Sequence, residues 1–126
     1  MPHWRSDVAL NRRVEAVVGT VAAVSGTTAT QVTTLGIIPS GAVIFAAMVQ
    51  VTAVFNAGTT NVVTVGHTAT IDAYVDASLV TEATPAAYVT YLQTPLTVDT
   101  TACAYYVCTG NAPTAGSANV TVLYSL

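Results

Sequence analysis

The feature that most constrains this chain is a strict two-residue alternation. In the segment Val49-Gln50-Val51-Thr52-Ala53-Val54-Phe55, the side chains of Val49, Val51, Ala53 and Phe55 fall on one side, with Gln50 and Thr52 on the other. Successive side chains of a β-strand point to opposite faces, so the pattern describes an extended segment with one face turned inward. Ile71, Ala73 and Val75 alternate in the same way with Asp72, Tyr74 and Asp76, as do Ala118, Val120, Val122 and Tyr124 with Ser117, Asn119 and Thr121. Glu15–Val24, Gln31–Ile38, Asn61–Gly66, Ala87–Leu92, Pro95–Val98 and Thr101–Thr109 read as further strands. Helical periodicity is nearly absent. The predicted fold is all-β, an antiparallel β-sandwich of jelly-roll-like form with about eight or nine strands of ordinary length.

The connections have their own chemistry. Ile38-Pro39-Ser40-Gly41 is a turn in which proline fixes φ and glycine relieves it. Asn56-Ala57-Gly58 contains two residue types that tolerate positive φ, which predicts an antiparallel hairpin between a strand ending at Phe55 and one starting near Asn61. Gly110–Gly116 is a longer loop into the last strand, and Asp76–Pro85 is the least strand-like stretch, read as an open loop or one helical turn.

Charge divides the chain. Of 126 residues only 7% are charged, and Arg5, Arg12 and Arg13 are the whole basic inventory. After Glu15 the only formal charges are Asp72, Asp76, Glu82 and Asp99. This split defines an amino-terminal arm over 1–14 and a β-sandwich domain over 15–126. A body with no lysine or arginine has no phosphate-binding patch, which argues against a nucleic-acid partner and against a nucleotide loop. A surface this poor in charge has little protection against association, and predicts assembly with itself or with a partner.

The longest apolar run, Ala42–Phe55, is shorter than the ~20 residues of a spanning helix and is interrupted by Gln50 and Thr52, so no membrane partner is expected. The stretch after Arg12 and Arg13 contains Glu15 and Gly19 and then alternates like a strand, so the expectation is a soluble protein without a targeting segment.

Residues for catalysis are few. His3 and His67 are the only histidines, and a nucleophile–base set in the body would have to be built on His67. Asp72 and Asp76 share a strand face but lie about 13 Å apart at that spacing, too far to share an ion within one strand. Cys103 and Cys108, at an odd offset, fall on opposite faces about 16 Å apart and read as buried free thiols. Asn119-Val120-Thr121 matches a glycosylation triplet but lies in a predicted strand. The six tyrosines read as core or subunit-contact residues, with a sugar site as the alternative. No enzyme activity, cofactor or resident metal is expected. The remaining chemistry is at the amino terminus. Trp4 is the only tryptophan, and tryptophan and arginine are the residue types enriched at interface hot spots, so Trp4, Arg5, Arg12 and Arg13 are the candidate contact residues for a sister subunit or another partner protein.

The run LGIIPSGAVIFAAMVQVTAVFNAGTTNVVTVG, then IDAYVDASLVT and the closing TAGSANVTVLYSL, resembles small structural proteins of tailed bacteriophages, the capsid decoration (cement) proteins and related head-fibre modules. The resemblance covers Gln31–Leu126. It implies a β-sandwich, often trimeric, made in the host cytoplasm, that sits on the outer face of a phage head and clamps neighbouring major capsid subunits, commonly with an extended amino-terminal segment. The alternative is a tail-fibre or appendage module that binds a host glycan.

Overall fold

A computed structural model describes residues 13–126. Eight strands follow in order: β1 (Val14–Ala22), β2 (Gln31–Ile38), β3 (Val43–Ala53), β4 (Thr60–His67), β5 (Thr70–Val75), β6 (Ala87–Pro95), β7 (Thr100–Thr109) and β8 (Ser117–Ser125). They form two four-stranded sheets, ordered β1-β8-β3-β6 and β2-β7-β4-β5, with every pair antiparallel. The all-β sandwich predicted from alternation is therefore the observed architecture.

The inward residues of the two sheets make one core. Val49 and Val51 of β3 meet Val120 and Ala118 of β8 within one sheet, and Val63, Val65, Ala104 and Tyr106 of the other sheet pack in the same cluster. Burying each valine contributes about 1.5–3 kcal/mol, and the alternation supplies such residues at every second position. The Tyr106 ring lies against Phe55 with centroids 4.6 Å apart. Its hydroxyl donates to Asn61 Oδ1 at 2.5 Å. Burial keeps that phenol above its ordinary pKa.

The predicted hairpin between Phe55 and Asn61 does not form. β3 and β4 lie in different sheets, so Asn56-Ala57-Gly58 is part of a crossover. The physical reason lies in the two asparagine side chains, which bind loops instead of shaping a tight turn. Asn56 Oδ1 accepts the Thr114 and Ala115 N–H groups at 2.9 and 3.0 Å, pinning the β7–β8 loop. Asn61 Oδ1 accepts the Ala57 N–H at 2.9 Å, and its Nδ2 donates back to the Ala57 carbonyl. Among the strands of the described residues, only β4 and β5 are neighbours both in the chain and in a sheet.

Other expectations hold or shift locally. Gly41 has φ +90°, as the Pro-Ser-Gly turn requires. Asp76–Pro85 contains one 3-10 turn at Ala77–Leu79. No separate strand runs over 95–98, because β6 continues through Pro95 and then ends. Cys103 and Cys108 are both free and buried, on opposite faces of the central strand β7. On β5 the inward face differs from the reading: Tyr74 is buried, whereas Ile71 is 46% exposed. Its pairing with β4 is irregular near Gly66, where a Cβ would collide with the Thr70 carbonyl.

Candidate functional site

Of the four contact residues read from the sequence, Trp4, Arg5 and Arg12 lie outside the described residues. Arg13 is the last residue before β1. Its carbonyl accepts the Leu126 N–H at 2.9 Å, and its guanidinium sits 3.8 Å from Glu15 Oε1. Glu15 Oε2 in turn accepts the Tyr124 hydroxyl at 3.1 Å. Desolvation, then the hydrogen bond to Glu15, hold that phenol above its usual pKa. The Arg13–Glu15 pair is exposed and contributes under about 1 kcal/mol, so its effect is to orient the chain where the amino-terminal segment enters the fold.

The register assigns the outer face of the β1-β8-β3-β6 sheet. Val18, Thr121, Met48 and Val89 form one row across all four strands, and Ala16, Leu123, Ala46 and Tyr91 form the next. A bulge opposite β8 adds Phe45 to the same face, between the core residues Ile44 and Ala47. Tyr91 is 83% exposed and Val18 61%. Among the described residues, none of the side chains on this face is charged. These two rows form a largely apolar, uncharged patch bordered by the polar row Thr20, Asn119 and Gln50, and such patches mark contact with other proteins. The sequence contained a signal for it, since Val14, Val18, Val89 and Tyr91 are large apolar residues on the polar phase of their strands.

A cleft of about 470 Å³ opens at one end of the sandwich. It is lined by the β4–β5 turn from His67 to Ala69, by Ala73 and Tyr74 of β5, and by residues 94–101 between β6 and β7. The imidazole of His67 lies 5.9 Å from the Tyr74 ring, centroid to centroid. Asp99 carries the carboxylate of the lining, with Oδ1 accepting the Ser40 N–H at 2.8 Å. Ser40 Oγ donates to the Thr97 carbonyl, which ties the loop to the Pro39 turn. The Tyr74 hydroxyl is buried without a hydrogen-bond partner, and desolvation raises its pKa.

His67 and Asp99 thus share a concavity, the arrangement any catalytic reading of this sequence would need. The hydrogen bond made by the imidazole is to the backbone, with Nδ1 accepting the Ala69 N–H at 3.3 Å. Among the described residues no hydroxyl or thiol is hydrogen-bonded to it, so no nucleophile is paired with this imidazole. No group of three or more His, Cys, Asp or Glu side chains among those residues is placed to hold a metal. No helix among them is long and apolar enough to cross a membrane.

Comparison with known proteins gives a structural match. No protein-family model and no curated protein matches the sequence. Among solved structures, a chain of the cyanophage Pam1 capsid asymmetric unit is similar with TM-score 0.69 and 29% identity, over 91% of this chain and 86% of that one. A chain of the acid-stable capsid of Helicobacter pylori bacteriophage KHP30 shares the fold, with TM-score 0.58 and 20% identity over 91% of this chain and 93% of that one. The resemblance carried by the Ile-Pro-Ser-Gly turn and the closing Gly-Ser-Ala-Asn-Val-Thr-Val strand is thus met in three dimensions: the protein has the fold of structural components of bacteriophage capsids.

Proposed function

We propose that the protein is a capsid decoration (cement) protein, a non-enzymatic virion component that binds the outside of a phage head and stabilises contacts between major capsid subunits. The observation that carries this reading is the fold shared, with 29% identity, with a chain of the Pam1 capsid asymmetric unit. Two physical features support it. The uncharged outer face of β1-β8-β3-β6 offers a surface for protein contact. The arm concentrates Trp4 and three arginines at one end of a body whose remaining charges are acidic.

In this reading the sandwich forms a homo-oligomer, with a trimer favoured, and the arm carries Trp4, Arg5, Arg12 and Arg13 to carboxylates of the major capsid protein or of a sister subunit. Several arms on one oligomer bind at high effective concentration, so individually weak contacts suffice. The test is binding to undecorated heads of the phage that encodes the protein. Full-length protein is expected to co-sediment with heads, and a variant lacking residues 1–12 to remain folded but stay in the supernatant. Equal binding by the truncated variant would remove the arm from the account, and failure of the full-length protein to bind heads would overturn the decoration reading itself.

A further inference from the structure

Strand β6 closes the β1-β8-β3-β6 sheet on one side, and among the described residues no strand lies beyond it. The Val51 N–H donates to the Ala86 carbonyl at 2.9 Å, one step beyond the Gln50–Ala87 pair of the β3–β6 register. Hydrogen-bonded and non-hydrogen-bonded positions alternate along an antiparallel pair. Tyr88 and Thr90 therefore turn their N–H and C=O groups toward β3, and Ala87, Val89 and Tyr91 turn theirs to the open edge.

Open edges of this kind are normally blunted by charge, by proline or by brevity. The other edge strands of the sandwich follow that rule or are covered. β5 is six residues long, pairs irregularly and carries Asp72. β1 and β2 lie against each other: Thr33 Oγ1 donates to the Thr20 carbonyl at 3.3 Å, and Gly19 and Gly36 let Leu35 and Val17 approach closely. β6 has none of these devices. It is nine residues long, has no charged side chain, and holds its proline at the last position, Pro95. Tyr88, Val89, Thr90 and Tyr91 are residue types that favour strand pairing.

We propose that β6 is a self-association edge, at which two copies of the chain pair β6 to β6, antiparallel and centred on Val89, and join their four-stranded sheets into one. A second copy fits because the edge is complementary to itself. A twofold axis at Val89 sets Val89 opposite its counterpart and Ala87 opposite Tyr91 in both directions, so that every outward N–H and C=O of these residues is paired. The Tyr91 ring, 83% exposed in the single chain, then has the small Ala87 across from it. The contact also buries no charge. The formal charges of the body are Arg13 against Glu15, Asp72, Asp76, Glu82 and Asp99, so two copies repel overall and meet most easily where neither carries a carboxylate. One strand pair is a small contact, and the dimer is expected to form and dissociate with concentration. A twofold contact is distinct from a threefold one, so this pairing goes beyond the proposed trimer and can fail without affecting the capsid-binding reading.

Amide hydrogen exchange in the full-length protein reads this edge directly. The Ala87, Val89 and Tyr91 amides are expected to exchange fast in dilute protein, and several-fold more slowly at concentrations where sedimentation velocity shows association. Val89→Pro removes an outward donor and no bond to β3, so it is expected to leave the Tyr88 and Thr90 amides protected while raising the dissociation constant about tenfold or more. Val89→Cys is expected to give a disulfide-linked dimer on mild oxidation, whereas Gln93→Cys, roughly 26 Å from its counterpart in this register, is not. A protein that sediments as a monomer at every concentration overturns the proposal. So does self-association in which the three amides still exchange fast, since the contact then lies on another surface. Protection that is undiminished in the monomer also overturns it, by placing another part of the same chain on the edge, and cross-linking at Gln93→Cys but not at Val89→Cys contradicts the register.

Discussion

At the scale of single residues, the most informative side chains join loops to the core. Glu82 is half-buried in the β5–β6 crossover, where Oε2 accepts the Val63 N–H at 2.9 Å. Desolvation raises its carboxyl above the ordinary range, and the Val63 hydrogen bond only partly offsets this. A carboxyl with a raised folded-state pKa contributes stability that is present below its unfolded value and lost as pH rises through the folded one. Asp76 has the opposite sign. The Ser78 hydroxyl and the Ala77 N–H hold its pKa low, so its contribution is present at neutral pH and lost on acidification. Glu82→Gln retains an acceptor without the charge, and is expected to raise the melting temperature at neutral pH, with the gain shrinking as thermal melts are taken down to roughly pH 4. Glu82→Ala leaves the Val63 N–H unpaired and is expected to cost about 1–3 kcal/mol in denaturant unfolding. Asn61→Ala should cost a similar ~1–3 kcal/mol, because it strips partners from both the Ala57 N–H and the buried Tyr106 hydroxyl. The roles of Glu82 and Asn61 were not legible in the sequence: each depends on a partner brought close by a crossover, and spacing along the chain gives no sign of it.

At the scale of elements, alternation located the strands well because each half-buried strand repeats its signal at every second residue. β2 was read with both ends correct, and β7 and β8 to within one residue. Alternation contains no information about which strand lies beside which. Asn56-Ala57-Gly58 therefore read as a hairpin, although the segment crosses between sheets. β5 misled for a different reason. It is a short edge strand with irregular pairing against β4, so Tyr74 is buried where strict alternation places it outside. Gly66 permits that pairing, and Gly66→Ala is expected to destabilise the β4–β5 hairpin by about 1–3 kcal/mol through the collision with Thr70, measurable as faster amide exchange in β5. The outer face of β1-β8-β3-β6 makes a separate prediction. Val18→Lys and Tyr91→Lys place charge at exposed positions, so each should leave the melting temperature within a few degrees of wild type while weakening self-association or head binding, read by analytical ultracentrifugation and co-sedimentation.

At the scale of the whole molecule, a charge-poor sandwich with its basic residues confined to one terminus is suited to assembly on another protein. The sequence showed this in outline, through the absence of lysine and arginine after Arg13 and the scarcity of catalytic groups. The cleft was not legible, since it is assembled from the β4–β5 turn and residues 94–101, which lie far apart in the chain. The apolar sheet face was only partly legible, because neighbouring rows are set by strand order. In the proposed function this sandwich sits on the exterior of a phage head and bridges major capsid subunits. Cryo-electron microscopy of the intact particle tests that directly: the expected result is density for this fold on the outer surface of the head, repeated over the shell and in contact with more than one major capsid subunit. Density for it only in the tail or an appendage, or a head shell without it, would contradict the account.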